Sequence, residues 1–276
     1  MMEDFSIEID SIIRRIGEDH LKYDETESWM YNELYESVRE YAYDRRLLNT
    51  SVALPVVRKL LSGVYRGFVD SEEGHRKQRA YMYHCLSVTR MLIDLHLPVT
   101  HEEKDILLAG ALCHDLKSHV YFPDHGQEMN SVYHLDQRIV DIMMLIYVGD
   151  CHSDEDYSRV FSNVRENKLA MLIRFADRAN IVEELYNFSM FRMQEYIHET
   201  RDYYLPMCIY AREFYPELDQ SIGTLQSKMS DLIASTDIFI TRYDNRQREL
   251  SEKILLLEEE NARMRTVLRQ KAGLTF

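Results

Sequence analysis

Helix-breaking residues are scarce in this chain: five prolines and nine glycines serve all 276 positions. A strand-rich fold turns roughly every 8–12 residues and spends glycine or proline at many of those turns. Leu, Met, Glu, Arg and Tyr prevail instead, and 45% of the residues are hydrophobic, enough to fill a core. The apolar spacing agrees. In "ESWMYNELYESVREYAYDRRLL" (27–48), Trp29, Met30, Leu34, Tyr35, Val38 and Tyr41 return every three or four positions, as on one face of a helix. An all-α protein is expected, with the tyrosines as packing residues.

The first seventy residues read as two or three helices, with Pro55 in the first turn of one of them. A helix is expected from about 75 to 97, carrying His84. "THEEKDILLAGALCHDL" (100–116) follows as another. Its Thr100, with Glu103 three residues on, is a capping-box pattern that places the helix start near Thr100. "VYFPDHGQEMN" (120–130) holds Pro123 and Gly126 and reads as a loop. "LDQRIVDIMMLIYV" (135–148) is apolar enough for a buried helix, and "GDCHSDEDYS" (149–158) reads as a polar connection. "ENKLAMLIRFADRANIVEEL" (166–185) is a further amphipathic helix. Three parts are expected: N-terminal helices over 1–70, a helical core domain over 71–235 and a C-terminal helix over 240–276.

That last helix carries a heptad pattern. Leu250, Leu257 and Met264 fall at d, and Ile254, Asn261 and Leu268 at a. A single Asn among apolar a positions fixes register in parallel two-stranded coiled coils. Lys253 at g would meet Glu258 at e of a second copy, and Glu260 would meet Arg265, so both pairs attract. A homodimer through this helix is expected. The competing reading packs the helix on its own domain, which Leu255 and Leu256, outside the seam, would favour.

The formal net charge of −14 repels nucleic-acid backbones and anionic lipid, so neither is an expected partner. A local basic pocket for a small phosphorylated ligand stays compatible with that charge. Cys85, Cys113, Cys151 and Cys208 are scattered with no CxxC pair and read as reduced thiols of a cytoplasmic protein. "MMEDFSIEID" is acidic where a signal peptide is basic, and no apolar run reaches membrane-spanning length.

His84, His114, Asp115 and Asp177 lie beside apolar neighbours in "MYHCL", "ALCHDL" and "IRFADRA". Taken singly, each is more often a hydrogen-bonded core residue, and an Asp before Arg is usually half of an ion pair. Together they point to one metal site, because unpaired charges are costly to bury and a divalent ion neutralises both carboxylates. Two imidazoles and two carboxylates, with water completing an octahedron, suit Mn²⁺ or Fe²⁺, with Mg²⁺ a further candidate, better than a closed zinc site.

The order H…HD…D resembles that of the HD superfamily of metal-dependent phosphohydrolases. The stretches "HRKQRAYMYH" (75–84), "ILLAGALCHDL" (106–116), "LAMLIRFADRAN" (169–180) and "HETRDYYLPMCIYAREF" (198–214) resemble, more narrowly, the hydrolase domain of the RelA/SpoT family. That domain removes the 3′-pyrophosphate from (p)ppGpp. The resemblance implies an HD-domain helical bundle over about 70–230, with the four residues above as metal ligands. It also implies that Arg76, Lys77 and Arg79 lie near the nucleotide, where guanidinium and ammonium groups would hold phosphate.

Two departures bear on activity. Where the family carries a Glu-Asp pair that positions and deprotonates water, this chain has Ser118 and His119. Where the family has Asn four residues after its last Asp, this chain has Asn180 three after and Ile181 four after. His119, Asp124 or Glu128 would then serve as base, with Asn180 standing in for the family's Asn. His119, His125 and His134 would extend the site to a second metal, as in HD relatives with extra histidines, or else read as loop and surface residues, the preferred reading. Two functions follow: a metal-dependent phosphohydrolase of a nucleotide, or a catalytically quiet, dimeric nucleotide sensor or scaffold.

Overall fold

The computed structural model describes residues 29–62, 64–67, 78–120, 127–147 and 153–271. Helices dominate, as the scarcity of breakers requires, and the only strands among the described residues form one short ribbon. The chain divides into two compact units, one reaching to Ser230 and one from Asp231 onward.

Helix α1 (Trp29–Asp44) buries Tyr31, Tyr35, Val38 and Ala42, a face turned slightly from the expected one. Leu34 and Tyr41 lie at its edge and are partly buried. The side chains of Trp29 and Met30 lie outside the described residues. The rotation follows from Ala42, a small residue that counts weakly in an apolar pattern yet lets a helix approach closely.

Helix α2 (Leu48–Leu60) corrects the expectation for Pro55, which sits inside the helix and not in its first turn. An interior proline costs a helix about 3 kcal/mol. The compensation is tertiary. The Asp105 carboxylate, from a helix far along the chain, accepts from the backbone amides of Asn49 at 2.9 Å and Thr50 at 2.8 Å. It thereby caps donors that a helix start leaves unpaired, and α2 begins seven residues before its proline.

The helix expected over 75–97 starts later. Gln78–Ala80 is a strand, β2, paired antiparallel with β1 (Tyr65–Gly67) in the register Tyr65 to Ala80, Arg66 to Arg79 and Gly67 to Gln78. Helix α3 (Tyr81–Asp94) follows directly. Helix α4 (His101–Cys113) begins where expected, with both arms of the Thr100–Glu103 capping box formed. All nine residues from Asp105 to Cys113 are buried, because α4 is the central rod, packed against α2, α3 and two helices yet to come. Gly110 belongs to that packing: a Cβ there would meet Ile173 at 3.1 Å and Ile142 at 3.4 Å.

After α5 (Leu116–His119), the segment expected as loop contains a short helix, α6 (Gln127–Ser131). The expected buried helix is α7 (Gln137–Ile146). The segment expected as a polar connection instead enters α8 (Asp154–Val164), capped by Ser153 at the Asp156 amide, with three acids in the first turn. Those acids suit the positive end of a helix dipole. The amphipathic segment at 166–185 is α9 (Lys168–Glu183), capped by Asn167.

Helix α10 (Met190–Glu199) passes through a π-helical turn, Thr200–Tyr204, into α11 (Leu205–Phe214). Pro206 has no N–H to return to the preceding turn, and the widened turn follows from that. The last helix, α12 (Asp219–Lys271), starts well before the expected 240 and contributes Ile222, Leu225 and Met229 to the core. Every residue from Thr241 to Arg269 is exposed, including Ile254, Leu257, Met264 and Leu268 at more than half of their surface. No helix among the described residues is long and apolar enough to cross a membrane. Cys85, Cys113 and Cys208 are buried, and Cys151 lies outside the described residues.

Candidate metal centre

Two helices and the α4–α5 junction supply the site. His84 closes the first turn of α3; His114 and Asp115 are the two residues between α4 and α5; Asp177 lies in the middle of α9. One ligand atom from each of His84, His114 and Asp115 lies within 4.8 Å of the others, a group that could hold a metal ion. Asp177 borders the same space: its Oδ1 is 3.1 Å from His84 Nε2 and 3.7 Å from His114 Nε2. Asp115 Oδ2 stands 3.7 Å from His84 Nε2 and 3.3 Å from His114 Nε2. A cation about 2.1 Å from each donor separates adjacent donors by about 3.0 Å in an octahedron and about 3.4 Å in a tetrahedron. The observed distances, 3.1–3.7 Å, begin just above the octahedral spacing and bracket the tetrahedral one.

The far sides of the two rings are already engaged. His114 Nδ1 donates to the Ala111 carbonyl at 2.7 Å, and His84 Nδ1 donates to Asn180 Oδ1 at 2.7 Å. Each bond fixes the tautomer that leaves an Nε2 lone pair facing inward, the arrangement metal-bound histidines adopt. His114 Nε2 is buried and has no hydrogen-bond partner. An orphaned ring nitrogen beside two carboxylates is expensive unless a proton or a cation sits between them.

The electrostatics say the same. Burial opposes charging His114, but the Asp115 and Asp177 carboxylates outweigh it and hold its pKa up to about 10. Burial likewise works against ionising Asp115 and Asp177, yet the neighbouring imidazoles hold both carboxyls well below the usual range. The pocket is built for positive charge.

Side chains around these residues hold them in place. Arg174 Nη1 reaches Asp177 Oδ2 at 3.2 Å, leaving Oδ1 for the imidazoles. Arg174, Asp177 and Asn180 recur every three residues, so one face of α9 carries the clamp, the carboxylate and the amide. The Arg next to Asp177 has a different task. Arg178 pairs with Glu199 at 2.7 Å and lies 4.2 Å from the Tyr204 ring centroid, and Tyr204 also meets Arg174. The stretch 198–214 thus supports α9 from behind through its π turn.

Asp115 is the open edge, 21% exposed, against 5% or less for the other three side chains. Tyr81 donates its hydroxyl to Asp115 Oδ2 at 2.5 Å, and the exposed His119 ring lies 4.0 Å from the Tyr81 ring. Sequence reasoning gave Tyr81 and Arg174 no role, although each stands three residues before a ligand candidate on the same helical face. Asn180, expected among the catalytic residues, holds the His84 ring from below. Ser118 is exposed beside His119. Arg79 lies in β2 with its side chain outside the described residues, and Arg76, Lys77, Asp124 and His125 lie outside them altogether, as does the Glu128 side chain.

Comparison with protein-family models, curated proteins and solved structures gave no match.

Proposed function

We propose that the chain is a metal-dependent phosphohydrolase of a nucleotide, acting on a (p)ppGpp-like 3′-pyrophosphate. The observation that carries this reading is the pair of inward-facing Nε2 atoms: both Nδ1–H groups are committed elsewhere, and both Nε2 atoms face carboxylates. Two nitrogens and two carboxylate oxygens, with room at the Asp115 edge, favour Mn²⁺, with Fe²⁺ and Mg²⁺ as alternatives. A divalent ion held there supplies Lewis acidity, lowering the pKa of coordinated water and neutralising phosphate charge.

The protein's own groups divide the remaining work. His84, His114, Asp115 and Asp177 hold the ion; Asn180 and Arg174 orient His84 and Asp177. Tyr81 and His119 stand at the exposed edge where substrate enters, and His119 is the base within that wall, with Asp124 on the following segment as the second candidate. Arg76, Lys77 and Arg79 bind the phosphates. The protein acts in the cytoplasm as a homodimer through the exposed heptad seam of α12.

One observation favours a second reading, a dimeric nucleotide sensor. Ser118 and His119 occupy the two positions where the resembling family carries acids, and losing a positioned base costs about 10²–10⁴-fold in rate.

The test uses untagged full-length protein, metal analysis, and a hydrolysis panel of ppGpp and other nucleotides with Mn²⁺. One equivalent of metal, with turnover lost in Asp115→Ala, is the expected result. Metal and tight nucleotide binding without turnover across the panel would support the sensor. A protein that binds no divalent ion would overturn both.

A further inference from the structure

A second feature lies at the other end of α3. His84 is in its first turn and Asp94 is its last residue, about 15 Å apart along a helix axis. There the end of α1, the end of α3 and the start of α4 enclose a cleft of about 630 Å³. That is the size of a small-molecule site. Its lining is mixed: Leu47, Ile93, Leu97 and Val99 are apolar, and Arg45, Arg90 and Lys104 are cationic.

In a chain of net charge −14, three cations here face one acid, Asp94. Arg90 already occupies that acid, through Nε at 3.1 Å and Nη2 at 3.0 Å. Among the described residues, the Arg45 side chain meets the Tyr41 ring, 5.4 Å from its guanidinium carbon, and Lys104 Nζ donates to the Leu92 carbonyl at 3.3 Å. Neither forms an ion pair among the described residues. Lys104 is half-buried, and burial together with the Arg45 charge depresses its pKa, with Asp94 opposing. Two like charges with no ion-pair partner among the described residues, one of them half-buried, favour a bound anion.

We infer that this cleft is a metal-independent binding site for a small phosphorylated molecule. Arg45 and Lys104 grip the phosphate, and Leu47, Ile93 and Leu97 receive the apolar part. The inference does not depend on the hydrolase reading, because it uses none of the metal-site residues.

The test is calorimetric titration of inorganic pyrophosphate and of ADP into full-length protein, with EDTA present and at low salt. One binding event is expected for at least one of the two probes. Arg45→Ala and Lys104→Met should each weaken it about tenfold or more, and Arg45→Glu should abolish it. Arg246→Ala, which removes an exposed cation from the second unit, should leave the affinity unchanged. Arg45 is exposed, so its two variants decide the matter even if Lys104→Met fails to fold. Absence of binding by both probes would overturn the inference, as would equal affinity in the wild type, Arg45→Glu and Arg246→Ala.

Discussion

Asp105→Ala should unfasten the start of α2. Four donors converge on that carboxylate: the Asn49 amide at 2.9 Å and its Nδ2 at 3.0 Å on one oxygen, the Thr50 amide and hydroxyl at 2.8 Å each on the other. Thr50 is fully buried, so its amide has no water to turn to. Its hydroxyl keeps a weaker alternative in the Asp105 carbonyl at 3.1 Å. Asn49 is half-buried, and its groups can recover part of their bonding from solvent. A buried amide orphaned from a charged acceptor costs about 2–3 kcal/mol, and the partly wet partners add about 1 kcal/mol. The total is about 3–4 kcal/mol, with the loss confined first to Leu48–Leu54, the turns ahead of Pro55. Hydrogen exchange read by mass spectrometry should show peptides over 48–54 losing protection before those of α4, and guanidinium denaturation gives the global figure. Asp105→Asn keeps one acceptor and should fall between. Thr50→Val should cost measurably less in the Asp105→Ala background than in the wild type. A wild-type-like exchange pattern and a loss under 1 kcal/mol in Asp105→Ala would refute the capping argument.

The Thr100–Glu103 box makes a pH-dependent contribution. Lys168 first, then the Thr100 amide, hold the Glu103 carboxyl below its ordinary value, so its stabilisation is complete above the unfolded pKa of about 4.3 and disappears as pH falls through the folded one. Glu103→Gln, which removes the titrating group, should cost about 1 kcal/mol at pH 7 and much less near pH 3, measured by denaturation at each pH. Burial pushes the Cys113 thiol up to about 12 and raises that of Cys208, so neither should react with iodoacetamide at pH 8 until denaturant is added. Arg178→Met should destabilise by about 3–5 kcal/mol on denaturation, because Glu199 loses its buried cation while Tyr204 keeps its packing. On the proposed pairing of α12 with a second copy, Asn261→Leu should strengthen self-association but admit species larger than a dimer, read by light scattering.

How much of this was visible beforehand divides along a physical line. Periodicity, capping and donor chemistry are local properties, so the all-helical class, the α4 start at Thr100 and the four ligand candidates could be read from short stretches. The Ser153 cap and its acidic first turn were equally local, and weighing them over the polar composition of 149–158 would have found α8. Long-range contacts carry no such mark. The early start of α2 depends on a carboxylate 55 positions away from Thr50, and without it Pro55 is a natural first-turn residue. Asn180 reaches His84 across 96 positions, which no spacing rule encodes.

The amino-acid order thus determined which side chains were available to ligate a cation and which segments would coil, because both follow from residue identity and neighbours a few positions apart. Packing of α1, α3, α4 and α9 decided the rest: which ring nitrogen faces inward, which arginine takes Asp177, and how Arg45 and Lys104 come to share a cleft. Those outcomes turn on distances of a few ångströms between residues tens of positions apart, and only the folded chain sets them.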